Sequence, residues 1–125
     1  MKFREFTLKS GKKLLLGKNA ENNDALMKEF EGKPNIILHT VSPGSPFGVI
    51  TGEKPTKTDI VSSAVIVAKY SQDWRDNKSD VKLNVFTGKD VLKGKNYKTG
   101  TWNVKKFSTI KVKKEKIIEF EKSLK

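Results

Sequence analysis

The 125-residue chain has no cysteine and one histidine. The first absence removes disulfides, thiolate nucleophiles and thiolate zinc sites together. The second leaves His39 without an imidazole or thiol partner for a nucleophile–base pair. Carboxylates are scarce, fourteen Asp and Glu against twenty-six Lys and Arg. No sequence-close pair of them reads as a metal or acid/base site. No apolar run approaches the roughly 18–20 residues of a membrane helix, and "MKFREFTLKSGKK" has no apolar core of signal-peptide length. The expectation is a soluble, intracellular, cytoplasmic chain with no catalytic apparatus, no cofactor, no metal and no membrane partner.

What is abundant is positive charge. The formal net charge is +12 and the pI is near 9.9, a balance that suits a polyanionic partner but also serves solubility. It is unevenly placed: residues 1–77 carry 12 basic and 9 acidic side chains, residues 78–125 carry 14 and 5. Gathering so many like charges in one fold favours an anionic ligand that neutralises them.

The length and the absence of repeats or low-complexity linkers imply one domain over residues 1–125. Phe3–Leu8 and Lys13–Leu16 read as two short strands around a glycine turn. Ala20–Phe30 places Asn23, Leu26, Met27 and Phe30 at helical spacing, and "EGKP" ends it. Ile36–Thr40 and Phe47–Thr51 read as strands joined by the rigid "VSPGSP" loop. Thr58 or Asp59 then caps one long helix that ends near Trp74. Val81–Phe86 alternates as a strand with one buried face. After a polar loop with a short extended piece at Asp90–Leu92, strands around Trp102–Val104 and Ile110–Val112 follow, with a turn or bulge across Lys105–Phe107. Ile117, Phe120 and Leu124 mark a last helix over residues 114–124. The fold class is α+β, a mostly antiparallel sheet of five to seven strands carrying two or three helices.

Candidate binding residues fall in two places. In "GKNAENND" (residues 17–24), Asn19 is placed to cap the first helix, accepting from the N–H of residue 21 or 22. Lys18 adds charge beside the positive end of the helix dipole, so a phosphate-binding loop and a capped helix are compatible readings. In the second half, Lys89, Lys93, Lys95 and Lys98 surround Tyr97, and Lys105, Lys106 and Lys111 flank Trp102 and Phe107. Cations meet phosphates and rings stack on unpaired bases; Trp102 and Phe107 also read as core residues, Trp102 the more so because Val104 shares its face, and the lysines as a solvated face, so Tyr97 is the better stacking candidate. His39 is either a satisfied strand histidine or a side chain presented beside "SPGSP". Asp24, Asp59, Asp73 and Asp76 would have to converge in space to serve a magnesium-dependent nuclease.

The order of these motifs resembles the NFACT-R domain. "GKNAENND" is similar to that family's opening signature, and Gly17, Asn19, Asn23 and Asp24 match it. The strand ending at His39, followed by "PGS" at Pro43–Ser45, is similar to its second signature. "AVIVAKYS" at residues 64–71 and "VKLNVFTGKDVLK" follow in the same order, so the resemblance covers about residues 13–113. The chain departs from the pattern at Ile37, where members usually carry tryptophan, and at Pro46, where a second histidine is common. The resemblance implies a non-catalytic RNA-binding module, with tRNA or ribosomal RNA as partner, possible contact with the ribosome, and a role in ribosome-associated quality control. It also brings Asn23 and Asp24 among the candidate binding residues. Some small relatives are implicated in DNA binding, so DNA remains a partner class, as does an acidic protein met by an adaptor.

Overall fold

The computed structural model describes residues 2–92, 99 and 102–124. Among these residues, eight strands and four helices succeed one another as β1 (Arg4–Thr7), β2 (Lys13–Leu16), α1 (Ala20–Phe30), β3 (Ile36–Thr40), β4 (Gly48–Ile50), α2 (Lys57–Lys69), α3 (Gln72–Asn77), β5 (Val81–Thr87), β6 (Val91–Leu92), β7 (Asn103–Val104), β8 (Ser108–Val112) and α4 (Lys114–Ser123). Six strands form an antiparallel sheet in the order β1-β2-β4-β3-β5-β8, while β6 and β7 pair separately. The expected α+β architecture is thus present.

Successive residues of a strand face opposite sides. The apolar pairs Leu15–Leu16, Ile37–Leu38 and Val49–Ile50 therefore need cover on both faces. On one face Leu14, Leu16, Leu38, Ile50, Val81 and Leu83 pack under α2, Trp74 of α3 and Ile117 of α4. On the other, Ile37, Val49 and Phe86 pack under Leu26, Met27 and Phe30 of α1, joined by Val91 and Trp102. Phe86 corrects the reading of β5 as buried on one face: it lies on the phase of Lys82 and Asn84, yet is 4% exposed beneath this second cover.

The number of helices rises to four because the helix expected to run to Trp74 is broken. Ser71 takes an extended conformation, donates its hydroxyl to the Ala68 carbonyl at 2.6 Å and accepts from the Trp74 N–H at 3.1 Å. A serine hydroxyl that closes one helix and caps the next outcompetes continuation. The start of α2 is also shifted. Thr56 is its N-cap, and Asp59 sits three residues in, returning a bond to the Thr56 N–H and receiving one from the Ser10 hydroxyl at 2.8 Å. Burial works against that charge, but these donors outweigh it and hold the carboxyl below its ordinary pKa. Asp80 caps α4 from outside the helix, accepting from the Lys114 N–H at 2.9 Å.

Leu38 is central to the first cluster and fully buried. Leu38→Ala should lower unfolding free energy by about 2–5 kcal/mol. Val41→Ala, at a side chain 53% exposed, should stay within about 0.5 kcal/mol. Urea denaturation of the two variants checks the contrast.

Candidate nucleic-acid interface

The stretch 17–24 is the framework of a cleft. Asn19 caps α1 by accepting from the Asn22 N–H at 2.8 Å, one of the two acceptor–donor pairings the sequence predicts. Asn22 accepts from the Lys18 N–H and donates to the Lys2 carbonyl, so it fixes the approach to the helix. Asn23 reaches across to the next segment, its Oδ1 accepting from the buried Phe47 N–H at 3.0 Å. Gly17 lies against this amide: a Cβ there would come within 1.8 Å of Asn23 Oδ1. Asp24 Oδ1 accepts from the indole N–H of Trp102 at 2.9 Å, bringing in a residue 78 positions away. Asn23 and Asp24 are therefore the residues that hold the walls together.

Between these walls lies a cleft of about 710 Å³, bounded by the α1 N-terminus, the 43–47 loop and the α2–α3 junction. Arg4, Lys18 and Arg75 contribute cations to it, and no carboxylate is among its described lining residues. The Arg4 guanidinium lies 4.4 Å from the Tyr70 ring centroid. Arg75 is held by the Tyr70 carbonyl and the Gln72 side-chain oxygen. Both of these partners are neutral, and Arg75 forms no ion pair among the described residues. The loop is pinned to α3 by the Gln72 N–H, which donates to the Gly44 carbonyl at 3.1 Å. Gly44 stands at φ +90°, a conformation that favours glycine.

His39 is in the same wall. Its ring stacks on Phe47 at 4.1 Å with a 16° interplanar angle. Burial outweighs a backbone contact with Ser45 and pulls its pKa from 6.5 down to about 4. At neutral pH it is therefore an uncharged aromatic surface, not a phosphate-binding cation.

A second cationic surface adjoins the first on the sheet. On the α1-side face, the register sets His39 beside Asn84 and Asn84 beside Thr109. Two residues along, Lys82 faces Lys111 directly across β5 and β8. Both lysines are exposed, and neither forms an ion pair among the described residues. Like charges placed directly opposite on a sheet are destabilising. Lys89, Lys105 and Lys106 are likewise exposed, and Phe107 is 52% exposed beside them. Trp102, in contrast, is a core residue at 9% exposure.

The sequence-predicted candidates thus fall into groups. Lys18, Asn19, Asn23 and His39 line the cleft, and Asp24 supports it through Trp102. Lys111 belongs to the strip on the sheet, while Lys89, Lys105 and Lys106 lie near the small sheet. Lys93, Lys95, Tyr97 and Lys98 lie outside the described residues. Arg4, Tyr70, Arg75 and Lys82 were missed. The alternation of β5 marked Lys82 as polar and Tyr70 sat in the "AVIVAKYS" motif without being singled out; Arg4 and Arg75 meet the site through long-range packing. The four aspartates do not converge on a metal: Asp24 serves Trp102, Asp59 serves the α2 cap, and among the described residues no group of three or more His, Cys, Asp or Glu side chains could hold an ion.

Two outcomes follow from this geometry. Gly17→Ala should displace Asn23 and strand the buried Phe47 N–H, costing about 1–3 kcal/mol, which calorimetry should register as a Tm lowered by about 3–15 °C. For His39, the native pKa lies below that of the unfolded chain, so unfolding takes up a proton between about pH 4 and 6.5. Its contribution to stability is present above that window and lost as pH falls through it. Urea titrations across the window should show a shallower pH slope for His39→Gln than for the native chain; superimposable slopes would contradict the assignment.

A search among curated proteins finds no match. Among solved structures, the chain is similar to the C-terminal of the fibronectin/fibrinogen-binding protein from Streptococcus suis, with a TM-score of 0.81 at 22% identity. The superposition covers 95% of this chain and 49% of that one. The chain therefore spans about half the length of that structure, and the likeness is one of fold. The family profile described as NFACT protein RNA binding domain matches residues 4–101, a span that includes the cleft framework from Gly17 to Phe47. With the sequence match and the cleft-building signature in agreement, the chain belongs to the NFACT RNA-binding domain family, a family of nucleic-acid-binding modules.

Proposed function

We propose that this chain binds structured RNA, tRNA or ribosomal RNA, through the lysine strip of β5 and β8 and the basic residues around Phe107. The observation that carries the reading is the Lys82–Lys111 pair. Two ammonium groups facing each other, neither in an ion pair among the described residues and with only Asp80 acting on Lys111 from a distance, weaken the free sheet. A phosphate backbone lying across them turns that repulsion into attraction and releases counterions. Phe107 offers an exposed ring beside Lys105 and Lys106, suited to stacking on an unpaired base. Family membership supports RNA over DNA or an acidic protein as the ligand, and by the same relation we extend the proposal to a non-catalytic, cytoplasmic role in translation or ribosome-associated quality control.

The test is a salt series of tRNA binding by fluorescence anisotropy. Affinity should fall steeply with salt, log K declining by about 0.7–0.9 per phosphate neutralised. Lys82→Glu with Lys111→Glu should weaken binding at least tenfold and flatten the slope by about 1 for each contact removed, with the circular dichroism spectrum unchanged. Unchanged affinity would remove the strip from the interface. Equal affinity for duplex DNA would favour the DNA reading.

A further inference from the structure

The cleft is not accounted for by the strip. Three cations from three separate elements converge there: Arg4 on β1, Lys18 before α1 and Arg75 on α3. None of them has an ion-pair partner among the described residues. Its volume of about 710 Å³ lies in the range of small-ligand sites.

A buried polar group also opens onto the cleft. Asn23 is 8% exposed, and its Oδ1 is committed to the Phe47 N–H. That donor fixes which way the amide is turned. Its Nδ2 has no acceptor among the described residues, and Asn23 is one of the residues that line the cleft, which leaves this amide as a donor for a ligand. Ala20, in the first turn of α1, also lines the cleft, and its N–H finds no acceptor among the described residues. The remaining wall supplies ring surface from Tyr70 and from His39 on its Phe47 support.

Cations without carboxylates, a fixed amide donor and uncharged rings are the complement of one phosphate joined to one base. We infer that the cleft takes a single unpaired, phosphate-bearing nucleotide of an RNA strand. The phosphate meets Lys18, Arg4 and Arg75, and the base meets the ring surfaces and the Asn23 amide. The sheet supplies the route to it, because His39 lies one row of residues from Lys82 and Lys111. A strand held on the lysine strip thus passes His39 and reaches the cleft at the end of the sheet, where Arg4 and Tyr70 come in from the α2 side. This inference rests on the RNA-binding reading and adds a single-strand requirement to it.

The experiment is an amide NMR titration of the full chain with uridine monophosphate, inorganic phosphate and uridine in parallel. Uridine monophosphate should shift the amides of Gly17, Ala20, Gly44, Ser45 and Phe47. Phosphate should bind at least fivefold more weakly, and uridine should give no saturable shift. Lys18→Glu uses an exposed side chain whose own folding contact is through the backbone. It should weaken the nucleotide at least tenfold with the spectrum otherwise intact, and Arg75→Glu should act in the same direction. In a second arm, a hairpin RNA with a single-stranded 3′ overhang should bind more tightly than its blunt counterpart, and Lys18→Glu should abolish the difference. Equal binding of phosphate and nucleotide would mean a bare anion site and overturn the inference. So would nucleotide binding without any overhang preference, which would mean a free nucleotide as ligand. If the cleft amides stay silent while tRNA still binds in a salt-dependent way, the cleft inference falls and the RNA reading stands.

Discussion

The bond from the Phe47 N–H to Asn23 Oδ1 is the contact on which the site depends. It joins the first turn of α1 to the loop that leads into β4, across the end of the sheet. The glycine at position 17 exists to let the two segments approach, since any Cβ there would occupy the place of the amide oxygen. With that bond formed, Phe47 is seated, His39 stacks on it, and Asn23, a residue of the cleft lining, keeps its Nδ2 without an acceptor among the described residues. The bond is buried, so nothing from solvent can replace it. One interaction therefore sets the position of the loop, the orientation of the amide and the protonation of the histidine.

Around this fixed point the charges follow a consistent division. Several carboxylates of the chain are spent on architecture: Asp24 on the Trp102 indole, Asp59 on the α2 cap, Asp80 on the α4 cap. The lysines and arginines of the α1-side face and the cleft are left uncompensated by ion pairs among the described residues. The face covered by α2 and α4 is where the larger core sits, with Leu14, Leu38, Val67 and Ile117 fully buried. The larger cluster thus lies on one side of the sheet, and the lysine strip of β5 and β8 lies on the other. A fold arranged this way tolerates self-repulsion on its binding face because the opposite face holds it together.

Much of the fold could be read from local pattern. The hairpin, α1 with its Asn19 cap, the alternation of β5 and the last helix all rest on contacts within a few residues. The break at Ser71 was not legible in the periodicity, because "VAKYSQDW" continues a helical pattern; the family motif "AVIVAKYS" ends at this residue, and the hydroxyl's choice of partners makes the break. The role of Asp24 could not be derived, since its partner is 78 positions away; the family signature marked the residue as significant without giving the reason. The cleft cations come from β1, the start of α1 and α3, and only the tertiary fold assembles them. Lys82 shows the boundary most clearly. Its exposure followed from alternation, but its confrontation with Lys111 follows from register, which a single strand cannot reveal.

The RNA surface proposed for this domain runs along the α1-side face from the β8 edge to the cleft at the end of the sheet. Ultraviolet crosslinking of the intact chain to tRNA, with mass spectrometry of the crosslinked peptides, tests it most directly. The account predicts adducts on Phe107, on the peptide from His39 to Phe47 and on Tyr70, with none on the exposed residues of α2 and α4. Adducts concentrated on Val61, Ile118 or Lys122, or spread evenly over both faces, would contradict it.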